Sequence, residues 1–327
     1  MTLLLVIIFS ASFILTYLVK LMAEKKQLLD IPNERSSHTV STPRGGGMAI
    51  AIVWFFGISY LFYFDKIESE LYYALMTGVL IAIVSFLDDI FTLKSTPRML
   101  VQALSAAIAL YFIGGLSEID FGFFTLQNQI VLNGIAFIGI LWFINLFNFI
   151  DGINGYSSSG AIMFSLGLYF FVGDTILLIL ALSTLGFIFW NWGKAKIFMG
   201  DVGSTLLGFT IPILIIHYNN TSEFSILNGL ILTGVFWFDA TFTLFKRFLN
   251  KEQLSKAHKN HAYQRIVQYG FSHQKTSLLA IGLHIILFFL AAISNQNNDF
   301  VVMFLLSAMG MLFFVYQLIG TKKPFKK

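Results

Sequence analysis

The chain has 327 residues, 57% hydrophobic, 17% aromatic and only 12% charged, with a mean hydropathy of +0.77. A soluble domain carries about 25% charged residues, so a soluble enzyme is excluded and a polytopic membrane protein is indicated; 37 Phe are more than one core uses, and many must face lipid. The absence of Cys excludes disulfides and thiolate sites, and the net charge of +4 is informative by its location.

The first apolar run, Thr2 to Val19, has no basic residue before it and Lys20, Lys25 and Lys26 after it. A cleaved signal peptide shows the opposite flanks, so a retained first span with its N-terminus outside is expected. A bilayer-spanning helix needs roughly 20 apolar residues. Cutting at polar breaks predicts spans near 2–22, 47–64, 70–88, 98–116, 129–148, 156–173, 175–192, 203–218, 225–245, 276–293 and 299–318. The expected fold is therefore all-α: a transmembrane helix bundle of about eleven spans, one domain over 1–327, with the C-terminus in the cytoplasm.

With these cuts, Lys66 alone of the 21 Lys and Arg falls on the outer side, and the opposite side is the cytoplasmic one. The cytoplasmic connections 23–46, 89–97, 149–155, 193–202 and 246–275 form the expected active face. The tail Lys322-Lys323-Pro324-Phe325-Lys326-Lys327 reads as a contact for anionic lipid.

Five aspartates, Asp88, Asp89, Asp151, Asp201 and Asp239, sit at the basic end of different apolar segments. A carboxylate at a membrane boundary is costly, so several on one face indicate a site. Asp88-Asp89 end the third span, with Lys94 and Arg98 following as a phosphate site would want. Neighbouring helical positions point about 100° apart, so one carboxylate is free to bind metal while the other accepts a proton. Asn148, Asp151 and Asn154 follow at i, i+3, i+6 and line one stripe while the helix continues, a donor set suited to Mg²⁺. Asp201, Ser204 and Thr205 open a helix whose free N–H groups attract anions. Asp239 lies a turn or two inside the boundary, with Lys246 and Arg247 as candidate partners. His258 and His261, with Lys259 and Arg265, are candidates to grip a pyrophosphate. Arg35, His38 and Arg44 precede or flank Gly45-Gly46-Gly47, which is either a backbone phosphate nest or a tight turn into close helix packing; turn and packing are favoured.

In this order and on one side, these motifs resemble the polyprenyl-phosphate N-acetylhexosamine-1-phosphate transferases. The resemblance runs from Arg35 to Arg265, and its most specific pieces are Asp88-Asp89, Asn148-Phe-Ile-Asp151-Gly and Gly200-Asp201-Val-Gly-Ser204. It implies a Mg²⁺-dependent phosphotransferase, with Mn²⁺ as a substitute, joining a UDP-linked amino sugar to undecaprenyl phosphate in a bacterial plasma membrane. Asp201, Asp89 and Asp151 are the implied metal ligands, and Asp88, Asp89, Asp151 and His261 the implied catalytic set. Arg35, His38, Arg44, Lys94, Asn148, Asn154, Ser204, His258 and Arg265 are the candidate substrate contacts. No nucleic-acid partner is expected, and a homodimer is left open.

Two departures stand out: Asn154 where the family often has Asp, and Ala262-Tyr263-Gln264 where a His-rich run continues. They direct the expectation to the branch that starts O-antigen or capsule chains rather than to a MurNAc-pentapeptide donor. The rival reading, a secondary transporter, expects ionisable groups near the midplane and inverted repeats. This chain has neither. A CDP-alcohol phosphotransferase would carry Arg and further spaced aspartates after Asp151-Gly152, and these are absent.

Overall fold

The computed structural model describes residues 1–32, 40–254 and 258–325. Fourteen α-helices occur among them. In order they are α1 (Thr2–Lys25), α2 (Gly47–Tyr63), α3 (Ser69–Met76), α4 (Gly78–Phe91), α5 (Ser95–Phe112), α6 (Gln129–Ile150) and α7 (Tyr156–Val172). Then come α8 (Thr175–Asn191), α9 (Gly200–Asn220), α10 (Ile226–Leu232), α11 (Gly234–Leu249), α12 (Ala262–Tyr269), α13 (His273–Gln296) and α14 (Val301–Lys322). Two antiparallel pairs of two-residue strands complete the described structure: β1 (Leu29–Asp30) with β2 (Thr42–Pro43), and β3 (Ile119–Asp120) with β4 (Thr125–Leu126).

The helical segments follow the sequence cuts closely, including the break at Gly173-Asp174. There Gly173 takes a positive φ of 71° and the Asp174 side chain accepts from the Ile176 N–H at 2.9 Å, capping α8. Among the described residues, six helical segments are long and apolar enough to cross a membrane: 2–25, 69–91, 129–150, 200–220, 273–296 and 298–322. A seventh is obtained if α10 and α11 count as one. α2, α7 and α8 are shorter apolar helices. The chain is thus a multi-pass helical membrane protein, but length and composition support fewer crossings than the eleven expected. The ninth expected span, 225–245, is also not one rod: α10 and α11 meet at 80° around Thr233.

α9 is the hub. It is buried along almost its whole length, unlike α1 and α14, whose apolar side chains largely face outward. A helix apolar on every side belongs in the interior, and α9 packs against α2, α4 and α6. Small residues allow the close approach. A Cβ at Gly208 would lie 2.7 Å from the Phe143 carbonyl oxygen and 2.8 Å from Ile144 Cα. At its far end, Asn219 and Asn220 bind the loop that follows α5. Asn220 donates to the Gly115 and Ile113 carbonyls at 2.7 and 3.1 Å and accepts from the Ser117 N–H at 2.9 Å. Asn219 donates to the Glu118 carbonyl at 2.9 Å.

Gly208→Val is expected to destabilise the fold by about 1–3 kcal/mol, because the obstructing atoms are backbone and cannot rotate away. Thermal unfolding in detergent checks this; an unchanged transition would show that α6 and α9 separate at no cost.

Candidate active site

The basic ends of α4, α5, α6 and α9 converge. α4 stops where Thr92 adopts a left-handed conformation, φ 50° and ψ 71°. Asp88 fixes this turn by accepting from the Leu93 N–H at 2.6 Å. Its other oxygen accepts from Arg98, one turn into α5. The same guanidinium nitrogen reaches Asp201 at 3.1 Å. One cation therefore bridges two carboxylates from different helices. Arg98 is the residue that the sequence undervalued: its place after Asp88-Asp89 is noticeable, but its reach to Asp201 is not.

Asp89 turns toward α9. Its carboxylate faces the N–H groups of Asp201 and Val202, at the positive end of that helix. Its Oδ2 is buried without a hydrogen-bond partner. Arg44 donates to the Asp89 carbonyl. The glycines after Arg44 are a packing device: Gly46 and Gly47 donate to the Phe198 and Met199 carbonyls at 2.9 and 2.8 Å, so these N–H groups form no phosphate nest. At Gly200, φ +75°, a Cβ would stand 2.9 Å from Asp89 Oδ2. Close approach of two chain segments thus sets Asp89 against the start of α9.

Asp151 caps the end of α6 and accepts from the Ser157 hydroxyl across the turn into α7. Desolvation pushes its carboxyl up to about 7; Ser157 opposes the shift, and the charges of Asp201 and Asp89 add to it. The expected stripe does not extend to Asn154, because α6 ends at Ile150. Asn154 instead donates to the Gly193 carbonyl at 2.7 Å, and its own carbonyl accepts from Ser277 at 3.0 Å. It ties three segments together, with its amide nitrogen engaged and its side chain half-buried. Asn148 stays on the helix, half-buried.

Ser204 is 1% exposed, and its hydroxyl bonds back to the Gly200 and Asp201 carbonyls of its own helix. Lys94 is exposed at the N-cap of α5. Arg35 and His38 lie outside the described residues.

Asp239 pairs with neither Lys246 nor Arg247. Its carboxylate accepts from the Ala262 and Tyr263 N–H groups at 2.7 and 3.4 Å and from the Thr243 hydroxyl at 3.1 Å, capping α12. Arg247, 2% exposed, binds Glu252 at 2.8 Å and the Gln253 and Leu254 carbonyls at 2.6 and 3.3 Å. These contacts hold the loop before α12 in place. Tyr263 then donates to the Phe149 carbonyl at 2.8 Å, and the His261 ring stacks on Phe149. The loop is thereby laid against the Asp151 turn.

His258 and His261 have ring centroids 4.7 Å apart. Burial pushes them down to about 4 and about 3, with the neighbouring His261 and Arg247 adding for His258, and Arg247 for His261. Burial thus favours the neutral form of both rings, which leaves them as hydrogen-bonding groups and any positive charge toward a pyrophosphate to the neighbouring Lys and Arg. Arg265 points elsewhere, onto Tyr316 of α14.

Among the described residues, no three acidic or histidine side chains form a closed cage for a metal ion. Asp89, Asp151 and Asp201 nevertheless act on one another electrostatically. Mg²⁺ typically keeps several waters and takes one or two carboxylates plus substrate phosphates. An open acidic site with an unpartnered Asp89 oxygen fits that requirement.

Comparison with known proteins identifies the family. Residues 71–219 match the model for glycosyl transferase family 4. The chain is 32% identical to a probable undecaprenyl-phosphate N-acetylglucosaminyl 1-phosphate transferase of Bacillus subtilis, over 96% of this chain and 92% of that protein. It is 27% identical to an undecaprenyl-phosphate alpha-N-acetylglucosaminyl 1-phosphate transferase of Thermotoga maritima, over 78% and 79%. It is 25% identical to a decaprenyl-phosphate N-acetylglucosaminephosphotransferase of Mycobacterium leprae, over 82% and 77%.

Asp239→Ala removes the acceptor for two N–H groups at the start of α12. Loss of a cap costs about 1–2 kcal/mol, so amide exchange over 258–269 is expected to quicken about five- to thirtyfold. Unchanged protection would show that the loop is held by other contacts.

Proposed function

Because the chain belongs to glycosyl transferase family 4, we propose that it transfers an N-acetylhexosamine-1-phosphate from a UDP-sugar to undecaprenyl phosphate. The observation that carries this reading is the convergence of Asp88, Asp89, Asp151 and Asp201 with Arg44 and Arg98. A phosphoryl-transfer site needs positive groups for the phosphates and carboxylates for a divalent cation. The names of the relatives favour N-acetylglucosamine as the sugar. The product would start a surface glycan such as an O-antigen, a capsule or a wall polymer.

In this reaction an oxygen of the lipid phosphate attacks the sugar-linked phosphorus. The bond from that phosphorus to the bridging oxygen breaks, UMP leaves, and a lipid-diphosphate sugar remains. Asp201, with Asp89 and Asp151, would hold Mg²⁺, which supplies charge neutralisation at the diphosphate. Arg98 and Arg44 neutralise further phosphate charge. Their orientation is set by the Asp88 carboxylate and the Asp89 carbonyl, respectively.

Asp88 is a weaker candidate for a base than the sequence suggests, since both its oxygens are engaged, one by a guanidinium. Asp89 Oδ2 is unengaged, which suits it to the cation rather than to proton transfer. The lipid phosphate is already largely ionised near neutrality, so the demand on a base is small. The positive-inside bias supports a basic end that faces the cytoplasm, where a UDP-sugar is supplied, with the chain in a bacterial plasma membrane.

UMP release with undecaprenyl phosphate, a panel of UDP-sugars and Mg²⁺ tests the reading; folded protein that releases none from any N-acetylated donor would overturn it. Asp201→Asn and Asp89→Asn are each expected to lower kcat by about 10²–10³-fold. Asp88→Asn is expected to act through Arg98 and leave more activity than Asp89→Asn; the reverse order would return the role of base to Asp88. The Asp151 carboxyl, raised to about 7, is partly protonated near neutrality. A bound cation favours its ionised form, so adding Mg²⁺ near neutral pH should release protons, with less released as the pH is raised. Asp151→Asn should reduce that release.

A further inference from the structure

Beside the 80° bend between α10 and α11, a cavity of about 690 Å³ lies among α11, α13 and α14, with α12 along one side. This lies within the roughly 300–1,000 Å³ typical of small-molecule sites. Its walls are mainly apolar, with Phe238, Leu279, Leu283, Ile286, Leu312 and Ile319 among them. Towards the aspartate site it is bounded by Tyr156, Asp239 and Tyr263, all buried.

One corner of this region is strongly cationic. Arg265 is 1% exposed, yet among the described residues its Nε and Nη2 have no hydrogen-bond partner. Only Nη1 donates, to the Lys323 carbonyl at 3.3 Å. The guanidinium lies 4.4 Å from the centre of the Tyr316 ring, and Tyr316 lines the cavity. The Lys246 ammonium stands over Tyr316 and Phe325 at 6.0 and 4.8 Å. Lys322 lines the cavity as well. The nearby carboxylate, Asp239, is turned to the start of α12 and makes no hydrogen bond to Arg265. Arg265 and Asp239 act on one another electrostatically, but a buried guanidinium with two open donors and an ammonium group beside it has capacity for a further anion.

We infer that this cavity holds an acyl chain of an anionic membrane phospholipid, whose headgroup phosphate is bound by Arg265 with Lys246 and Lys322. The apolar walls suit a hydrocarbon chain, and the unsatisfied donors suit a phosphate. Basic pockets between membrane helices bind such headgroups. A polyprenyl chain, several times longer than an acyl chain, would have to leave the cavity for the bilayer. A phosphate at Arg265 would also be beside α14 and the C-terminal segment, whereas Asp89 and Asp201 lie among α2, α4 and α9. The site is therefore separate from the proposed transfer site and does not rest on the transferase reading.

Binding can be measured without turnover. Full-length protein is delipidated in detergent, offered phosphatidylglycerol or phosphatidylcholine of the same chains, and weighed by native mass spectrometry. One tightly held phosphatidylglycerol per chain, preferred over phosphatidylcholine, is expected. Arg265→Gln and Lys322→Gln should each weaken it by about fivefold or more. Gly282→Leu is a second kind of test, since Gly282 lines the cavity and a Cβ there meets nothing within 4 Å. It should fill the space, preserve the unfolding transition and weaken both lipids. Equal retention of the two lipids, or unchanged binding in Gly282→Leu, would overturn the inference. Stoichiometric displacement of phosphatidylglycerol by undecaprenyl phosphate would also overturn it, assigning the cavity to the polyprenyl lipid.

Discussion

The constraint on which the structure turns is the gathering of like charges in a poorly solvated place. Asp88, Asp89, Asp151 and Asp201 come from α4, the end of α6 and the start of α9, and several are near enough to oppose one another's ionisation. Such an arrangement persists only when fixed partners compensate it. Arg98 bridges Asp88 and Asp201, and the N-terminus of α9 faces Asp89. Ser157 donates to Asp151. The central path of α9 is part of this compensation. Only a helix threaded through the middle of the bundle brings its positive end among carboxylates from its neighbours. That path in turn requires a helix apolar on all sides, with glycines where backbones meet at Gly203 and Gly208.

The same economy of charge organises the loop above the site. Asp239 carries a full carboxylate into a buried position and is satisfied by the first N–H groups of α12. Arg247 is satisfied by Glu252 and two carbonyls. These two residues position His258 and His261 while contributing no charge to the aspartate face. The histidines, held neutral by burial, add hydrogen-bonding capacity beside Asp151 without altering the net charge that the arginines have to balance.

The helical architecture and the aspartate face were legible in the sequence because apolar length and the exclusion of charge are local properties. The Gly173-Asp174 break could be placed since a glycine and an N-cap residue adjoin there. What the sequence hid was direction. Asn154 and Ser204 have the right chemistry for a ligand, but one is spent on the Gly193 carbonyl and the other on its own helix. Arg98 and Asp239 stand out in the sequence, but their roles become readable only when a partner more than twenty positions away is known: Asp201 for one, Ala262 for the other. Long-range pairing of this kind leaves no periodic trace. The bend at Thr233 is equally silent, as Thr233-Gly234 interrupts an otherwise continuous apolar run without a proline or a charge.

That bend links the two halves of the chemistry. By turning α11 out of line with α10, it puts Asp239 beneath α12, and the capped α12 carries Tyr263 to the Asp151 turn. A cavity lies beside α13 and α14, and the helix that Asp239 caps also carries Arg265 onto Tyr316, which lines it. A straight helix over 226–249 would abolish the capping of α12. The two faces of α12 thus look in opposite electrostatic directions: Tyr263 toward an acidic site suited to a cation and phosphates, Arg265 toward a cationic corner in need of an anion. A lipid bound at Arg265 would therefore bear on the order of α12, and through Tyr263 on the Asp151 turn, without touching the reacting groups.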